Sequence, residues 1–565
     1  MERTAPTPSI NLDSEAGTFR DFTAYIKRRE RRECCSKDDQ TFIYPIQGRL
    51  RMFKSKVFIG TPLILALWLP LLATTERNRS PSDAITAAKI RDRVYFLSSE
   101  ALEGRYPGSQ GFGIAAAYAA SQFKAAGLIP AVNSQSQTSY FQPVPLARRK
   151  VEKAAVVMLK TRTGEQPFTE EDVKFITSEG LSENGKMTPV VFAGFGISEP
   201  AAGWDDLKGL ELSGKIVLFM MGAPMKDGQP LLPEEVHRIY APMNSVVRKC
   251  AAMRNAAAAF LVIGDDMLEV FKSLASVPED TQYILDDKKP GAFRLPALGV
   301  LSPRLSKALL GGKDLPDGPA VRKGLHPNGD LEGTAMGISV SFSDERIQTQ
   351  NILGLVEGTD SLLKEQVIVV SAHLDHLPPT SEGQIHPGAN DNASGAAALL
   401  EIAGAVASHP PRRSVLFALF SAEEGGWMGS RYFLARCPVA AGRIVADINM
   451  DMIGRTEKGL EDSRAQYAVD SARITPAFTR LIEGVNSRTV AWPLRFVHPL
   501  NLGDSDHCPF KEFGIPSVNF YTGRIPDTHT PTDTPDKLDY EKAAQIARLV
   551  YEIAMELGNR EPLWN

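Results

Sequence analysis

From Ile352 onward, uncharged apolar runs of strand length alternate with stretches of helix length, and this alternation constrains the fold more than any other feature. Runs such as VIVVSA and VLFALF are apolar at nearly every position, so both faces of each strand need cover. The pattern predicts strands near 366–372, 414–421, 444–450 and 516–521, with helices near 393–408, 429–435, 475–487 and 537–557. The expected fold class is therefore α/β, a mostly parallel central sheet flanked by helices. In such sheets functional groups collect just beyond the carboxyl ends of the strands.

At 565 residues the chain exceeds one ordinary hydrophobic core, so two domains plus a leader are expected. Residues 83–129 read as interrupted helix, and Gly127 is placed to stop it. The texture changes between about 188 and 302, where strands are expected at 189–197, 214–221 and 260–263, with a helix over 246–259. Residues 303–335, rich in Gly, Pro, Lys and Asp, read as an irregular return. The expected division is a leader at 1–82, a main domain formed by 83–180 and 335–565, and an insert with its return linker at 181–334.

Within the leader, Val57–Ala73 is a run of 17 residues without a charge, preceded by Lys54 and Lys56. That is the layout of an export signal, and Pro62 and Pro70 weaken it as a spanning helix. Met52 sits where such a signal would begin, so 1–51 are read as an over-extended start. A cytoplasmic tail on a signal-anchored protein has the same appearance. Export is expected, to the periplasm or outside the cell, or with membrane attachment through 57–73 if that run is retained. The net charge of −4 gives no basis for nucleic-acid binding. Cys250, Cys437 and Cys508 allow at most one disulfide in the body of the chain.

The ends of the expected strands carry unusual chemistry. SAHLDH supplies His373, Asp375 and His376, PGANDNASG places Asp391 before a helix, and SAEEGG supplies Glu423 and Glu424. INMDMIG adds Asp451, while DTHTPTDT adds His529 and Asp533. A lone histidine or an adjacent glutamate pair is ordinarily solvated surface. Successive strand-end carboxylates are different, because burying them unpaired costs several kcal/mol each. A divalent cation compensates that cost. Three carboxylates and two imidazoles suit zinc, and five ligands exceed what one tetrahedral ion needs. Two metals sharing a carboxylate, an arrangement for assisted hydrolysis, is the expectation.

HLDH, GANDNASG, the EE pair, NMDMIG and THTPTDT occur in the order and approximate spacing of the co-catalytic zinc aminopeptidases, and nearly all of 84–560 resembles that family. It includes secreted bacterial leucine aminopeptidases, yeast vacuolar aminopeptidase Y and plasma glutamate carboxypeptidase. The resemblance implies two zinc ions held by His373, Asp391, Glu424, Asp451 and His529, with Asp391 bridging. It groups His373 with Glu424 and gives the remaining positions to Asp451 and His529. Glu423 matches the general base, Asp375 the residue that orients His373, and a cis peptide bond is implied after Asp391. Thr528 departs from the many relatives that place a stabilising tyrosine there, and Tyr521 is a nearby substitute. His507 suits a pocket or structural role, and His376 reads as a neighbour of the ligands. His237, His326, His386, His409 and His498 take ordinary structural readings.

FAGFGI, GWDDLKGLELSGKIVLF and the helix before FLVIG resemble a protease-associated domain, a small β-rich insert. Within it, Gly209–Ile216 nearly matches a phosphate-binding loop, but Ile216 replaces the metal-binding hydroxyl, so a turn and strand is the better reading. The glycosylation pattern at Asn392 falls inside the proposed metal loop and is discounted. The resemblance implies an exopeptidase acting on peptide substrates, first of all an aminopeptidase. A carboxypeptidase or dipeptidase shares the framework. A glutaminyl cyclase generally works with one zinc, and a receptor-like homologue has lost ligands.

Overall fold

The structure, a computed structural model, describes residues 80–134, 137–177, 185–241, 245–268, 271, 282–286, 296–313, 315, 329–458, 465–470, 475–496 and 505–564. The chain divides into two units at Glu76, and every described residue lies in the second. The run 57–73, Cys34, Cys35, His326 and His498 fall outside the described residues. Among the described residues no helix is long and apolar enough to cross a membrane.

The site-bearing part of the sheet is built from Ser517–Tyr521, Ile444–Met450, Val367–His373 and Ser414–Phe420, in that spatial order. Neighbours among these four run parallel. Side-chain alternation divides each strand between two packed faces. Ile368, Val370, Val415, Phe417 and Ile448 face helices Gln110–Ala125, Ser394–Ser408 and Tyr540–Asn559. Val367, Val369, Leu416, Ala418 and Phe420 face Phe433 and Phe510 on the other side. This is the α/β arrangement expected, and every expected strand and helix from 366 onward is present within a few residues.

A second core lies in the middle of the chain. Strands Thr188–Phe192, Ile216–Met220, Ala258–Val262 and Ala297–Leu301 run parallel side by side, joined to the same sheet. Phe192, Leu218 and Phe260 fill one side and Val191, Phe219 and Cys250 the other. Gly209–Ile216 is a turn leading into a strand.

Two expectations need correction. The domain boundary was placed at 181, yet Val157, Leu159, Phe168 and Val173 already belong to the second core. Strand Phe141–Thr161 crosses from one core to the other without a break, so no turn residue marks the passage. Likewise the return linker was extended to 335, but strand Gly329–Val356 begins inside it. These two long strands pair antiparallel from Phe141↔Ile352 to Lys160↔Ala335 and form a ribbon shared by both cores.

Candidate active site

The site sits at the carboxyl ends of the parallel strands. Val367–His373 ends on His373, whose imidazole is buried. Its Nε2 lies 3.3 Å from Asp451 Oδ1 and 3.3 Å from Asp391 Oδ1. His529 approaches from the opposite side, its Nε2 3.1 Å from both Asp391 Oδ2 and Glu424 Oε2. Asp391 thus presents one oxygen to each histidine. Glu423 Oε2 stands 4.0 Å from His373 Nε2.

Local structure explains the convergence. Asn392 Nδ2 donates to Met450 O, and its Oδ1 accepts the N–H groups of Gly395 and Met452. Asn390 Oδ1 accepts the Gly454 N–H. These bonds stitch the Asp391 loop to the end of the strand carrying Asp451. Asp533 accepts the N–H groups of Asn390 and Asp391 from below. The Asp391–Asn392 peptide is cis, as the resemblance implied. Asn392 is fully buried, which fits its place in the loop and not on a glycosylated surface.

Sequence reasoning passed over Arg105. It is fully buried and donates to the carbonyl oxygens of Leu97, Leu374, Pro387, Gly388 and Asp391, tying together both segments that carry site residues. Burial lowers its pKa to about 10, and the charges of Asp391 and Asp375 oppose that shift. No spacing signal marks it, because its partners are all backbone.

Three assignments change in detail. His373 stands against Asp451 and Glu424 against His529, whereas the resemblance groups His373 with Glu424. His376 is more than a neighbour: its Nδ1 lies 2.7 Å from Glu424 Oε1, and its buried Nε2 has no partner among the described residues. Asp375 meets the His373 ring mainly through its backbone, with the carbonyl 3.2 Å and the carboxylate 3.9 Å from Nδ1. The strand ends at His373, so the alternation that would align residues 373 and 375 no longer applies. Asp375 Oδ1 instead accepts the Glu423 N–H at 3.1 Å.

Among the remaining candidates, Tyr521 lies close enough to Asp451 and Asp391 for their charges to add to burial in raising its pKa. The Thr528 hydroxyl accepts the Ile525 N–H. The His386 ring centroid lies 6.3 Å from that of His376, and its Nδ1 is 2.6 Å from Pro378 O. In the GDSDHCPF segment, Asp506 is the notable residue, fully buried and receiving the Ser430 hydroxyl at 2.5 Å. Burial lifts its carboxyl to about 7.

The two adjacent glutamates are driven apart. Burial pushes the Glu423 carboxyl well above the usual range, with Glu424, Asp451 and Asp506 adding to the effect against His373. Burial also opposes charge on Glu424, but His529 and His376 hold it down at about 2. Asp375 rises to about 6, mainly through burial. His529 rises to about 11, chiefly in the field of Glu424.

Two groups of donors could each hold a metal ion. His373, Asp391 and Asp451 can bring ligand atoms within 4.8 Å of one another, as can His376, Asp391 and Glu424, and Asp391 is common to both groups. Both sets mix imidazole nitrogen with carboxylate oxygen, as zinc accepts.

Residues 351–554 match the family model for Peptidase family M28. The chain is 32% identical over 231 residues to Aminopeptidase YwaD of Bacillus subtilis, covering 38% of this chain and 46% of that protein. It is 29% identical over 239 residues to a probable leucine aminopeptidase of Arthroderma otae, covering 40% of this chain and 62% of that one. The chain therefore spans from under half to about three-fifths of the length of these relatives. Among solved structures, the aminopeptidase from Aneurinibacillus sp. strain AM-1 aligns with 85% of this chain and 96% of its own, at 21% identity and a TM-score of 0.47.

Proposed function

We propose that the chain is a zinc-dependent exopeptidase, an aminopeptidase removing N-terminal residues from peptides. The observation that carries this reading is Asp391 standing between His373 with Asp451 on one side and His529 with Glu424 on the other, with Glu423 beside them. His373 and Asp451 would hold one zinc, Glu424 and His529 the other, and Asp391 both; His376 braces Glu424 from behind. A zinc pair supplies Lewis acidity, polarising the scissile carbonyl and acidifying water.

The chain's own residues supply the rest. Glu423 is not fully buried, and its carboxyl can hold a proton, so it suits taking one from water and passing it to the leaving amine. Asp375 fixes the backbone of that base through the Glu423 N–H. Tyr521, within the electrostatic reach of Asp451 and Asp391, is the candidate to stabilise developing negative charge where the resemblance places a tyrosine and this chain has Thr528. Arg455, just beyond Asp451, is engaged by Asp527 at 3.3 Å.

The insert is read as a protease-associated domain, and the 57–73 run as an export signal or anchor. The deciding experiment offers purified protein aminoacyl, N-blocked and C-terminal peptide substrates, with and without chelator. Cleavage of free N-termini that stops on chelation is expected. Cleavage of blocked peptides from the C-terminus would overturn the aminopeptidase assignment, and indifference to chelation the zinc assignment.

A further inference from the structure

The turn that carries the proposed base is not self-supporting. Ala422 and Trp427, on either side of Glu423–Gly426, both have left-handed backbones, with φ of 58° and 59°. Such conformations cost a non-glycine residue about 1–2 kcal/mol each, so surrounding contacts must hold them. On the inner side Asp375 does so by accepting the Glu423 N–H.

The outer side is held by a different part of the chain. Strand Gln282–Leu285, from the middle region, adds to the Phe141–Thr161 ribbon with Tyr283 opposite Arg148 and Leu285 opposite Leu146. The Asp286 N–H donates to Pro145 O, and Arg346 Nε donates to Asp286 Oδ2 at 2.7 Å, so the strand is fastened at its end. Tyr283 and Leu285 are buried in a small cluster with Val144, Leu146, Ala422 and Met428, separate from both larger cores. The Tyr283 ring lies flush against the turn: a Cβ added at Gly425 would stand 2.8 Å from Tyr283 Cδ2 and 3.2 Å from its Cβ. Gly425 is needed there for close approach, since its φ is not in the left-handed region.

We propose that Tyr283 is a positioning residue for Glu423, through which the middle region clamps the Glu423–Gly426 turn against Asp375. The inference rests on the reading of Glu423 as base. It implies that the middle region is required for turnover through a contact at Gly425, on the turn that also carries Glu424. Displacing a catalytic group by about 1 Å costs on the order of 100-fold in rate, while ground-state binding need not change.

The test uses the full chain and a double-mutant cycle. Tyr283→Ala, assayed at saturating zinc, should lower kcat roughly 10- to 100-fold with KM within about 2-fold. Tyr283→Phe, which keeps the ring, should stay within about 3-fold of wild type. Gly425→Ala should lower kcat by itself, and much less when Tyr283→Ala has made room for the methyl group. Hydrogen exchange over 422–428 should quicken in Tyr283→Ala. Unchanged kcat in Tyr283→Ala, a rise in KM alone, or strictly additive effects in the cycle would overturn the proposal. Exchange also separates the two readings: if wild type hydrolyses no peptide, the proposed function fails, while faster exchange in Tyr283→Ala still supports the clamp, and unchanged exchange removes it.

Discussion

Glu423 and Glu424 are neighbours in sequence with opposite ionisation preferences, and the difference lies in what each one faces. Glu424 has His376 and His529 against its oxygens, whereas Glu423 has further carboxylates and one histidine. Environments that push two acids apart assign them different roles. Glu423→Gln is therefore expected to keep its full complement of zinc and lose about 10²- to 10⁴-fold in kcat. Asp391→Ala should lose metal, because both donor groups pass through that residue. Metal analysis alongside kinetics separates the two, and near-normal turnover in Glu423→Gln would remove it as the base. Proton linkage gives a second check. His529, raised to about 11 in the metal-free protein, carries a proton at pH 8, and an imidazole must shed it to bind a metal. Its partial exposure lets solvent weaken that field, but the sign holds. Zinc titration of the metal-free protein at pH 8 should release protons, so the calorimetric heat should vary with the ionisation enthalpy of the buffer. Heat independent of the buffer would contradict the placement of His529.

Elements were legible in the sequence to the degree that both their faces are buried. Val367–His373, Ser414–Phe420 and Ile444–Met450 carry near-continuous apolar runs that nothing but a covered strand explains, and their polar ends marked the site. The ribbon strands Phe141–Thr161 and Gly329–Val356 were harder to read, since their mixed patterns change partner core midway. The contacts that set the loops were invisible for another reason. Arg105 and Asp533 act on backbone groups, which leave no trace in side-chain spacing. The backbone contact of Asp375 with the His373 ring was hidden too, because the strand and its alternation end at His373. Replacing Arg105 shows what such a contact is worth. Arg105→Met would leave five buried carbonyl oxygens without their donor and is expected to cost roughly 3–5 kcal/mol. Because four of those carbonyls lie between Leu374 and Asp391, zinc affinity should also fall in the variant. Chemical denaturation with and without zinc measures both effects, and a stable variant with unchanged affinity would show that the loop holds itself.

On the scale of the whole molecule, one sheet runs through two sets of cores, and the sheet is continuous while the apolar clusters are not. The middle region keeps a test of their independence in its own interior. Lys249 is buried, its Nζ donating to the carbonyls of Met220 and Gly222, and burial lowers its pKa to about 7 against the partial compensation of Asp206. Asp206 accepts the N–H groups of Phe195 and Ile197, and burial raises its carboxyl to about 6. The signs follow by linkage. Asp206 binds its proton more tightly when folded, so its contribution is present at low pH and lost as pH rises through about 6. Lys249 binds its proton less tightly when folded, so between about pH 7 and its unfolded value near 10.5 the unfolded chain holds more protons and stability rises with pH. The middle region should be weakest between pH 6 and 7, where both groups are largely charged. Calorimetry should show two transitions, and the one belonging to the middle region should move up by roughly 5 °C between pH 6.5 and 9. Lys249→Met should abolish that movement without touching the other transition, since both carbonyls that accept from the ammonium belong to the middle region. A single transition shifting as a whole would mean that the ribbon of Phe141–Thr161 and Gly329–Val356 couples the cores into one cooperative unit, and Lys249 would then tune the stability of the active site it never touches.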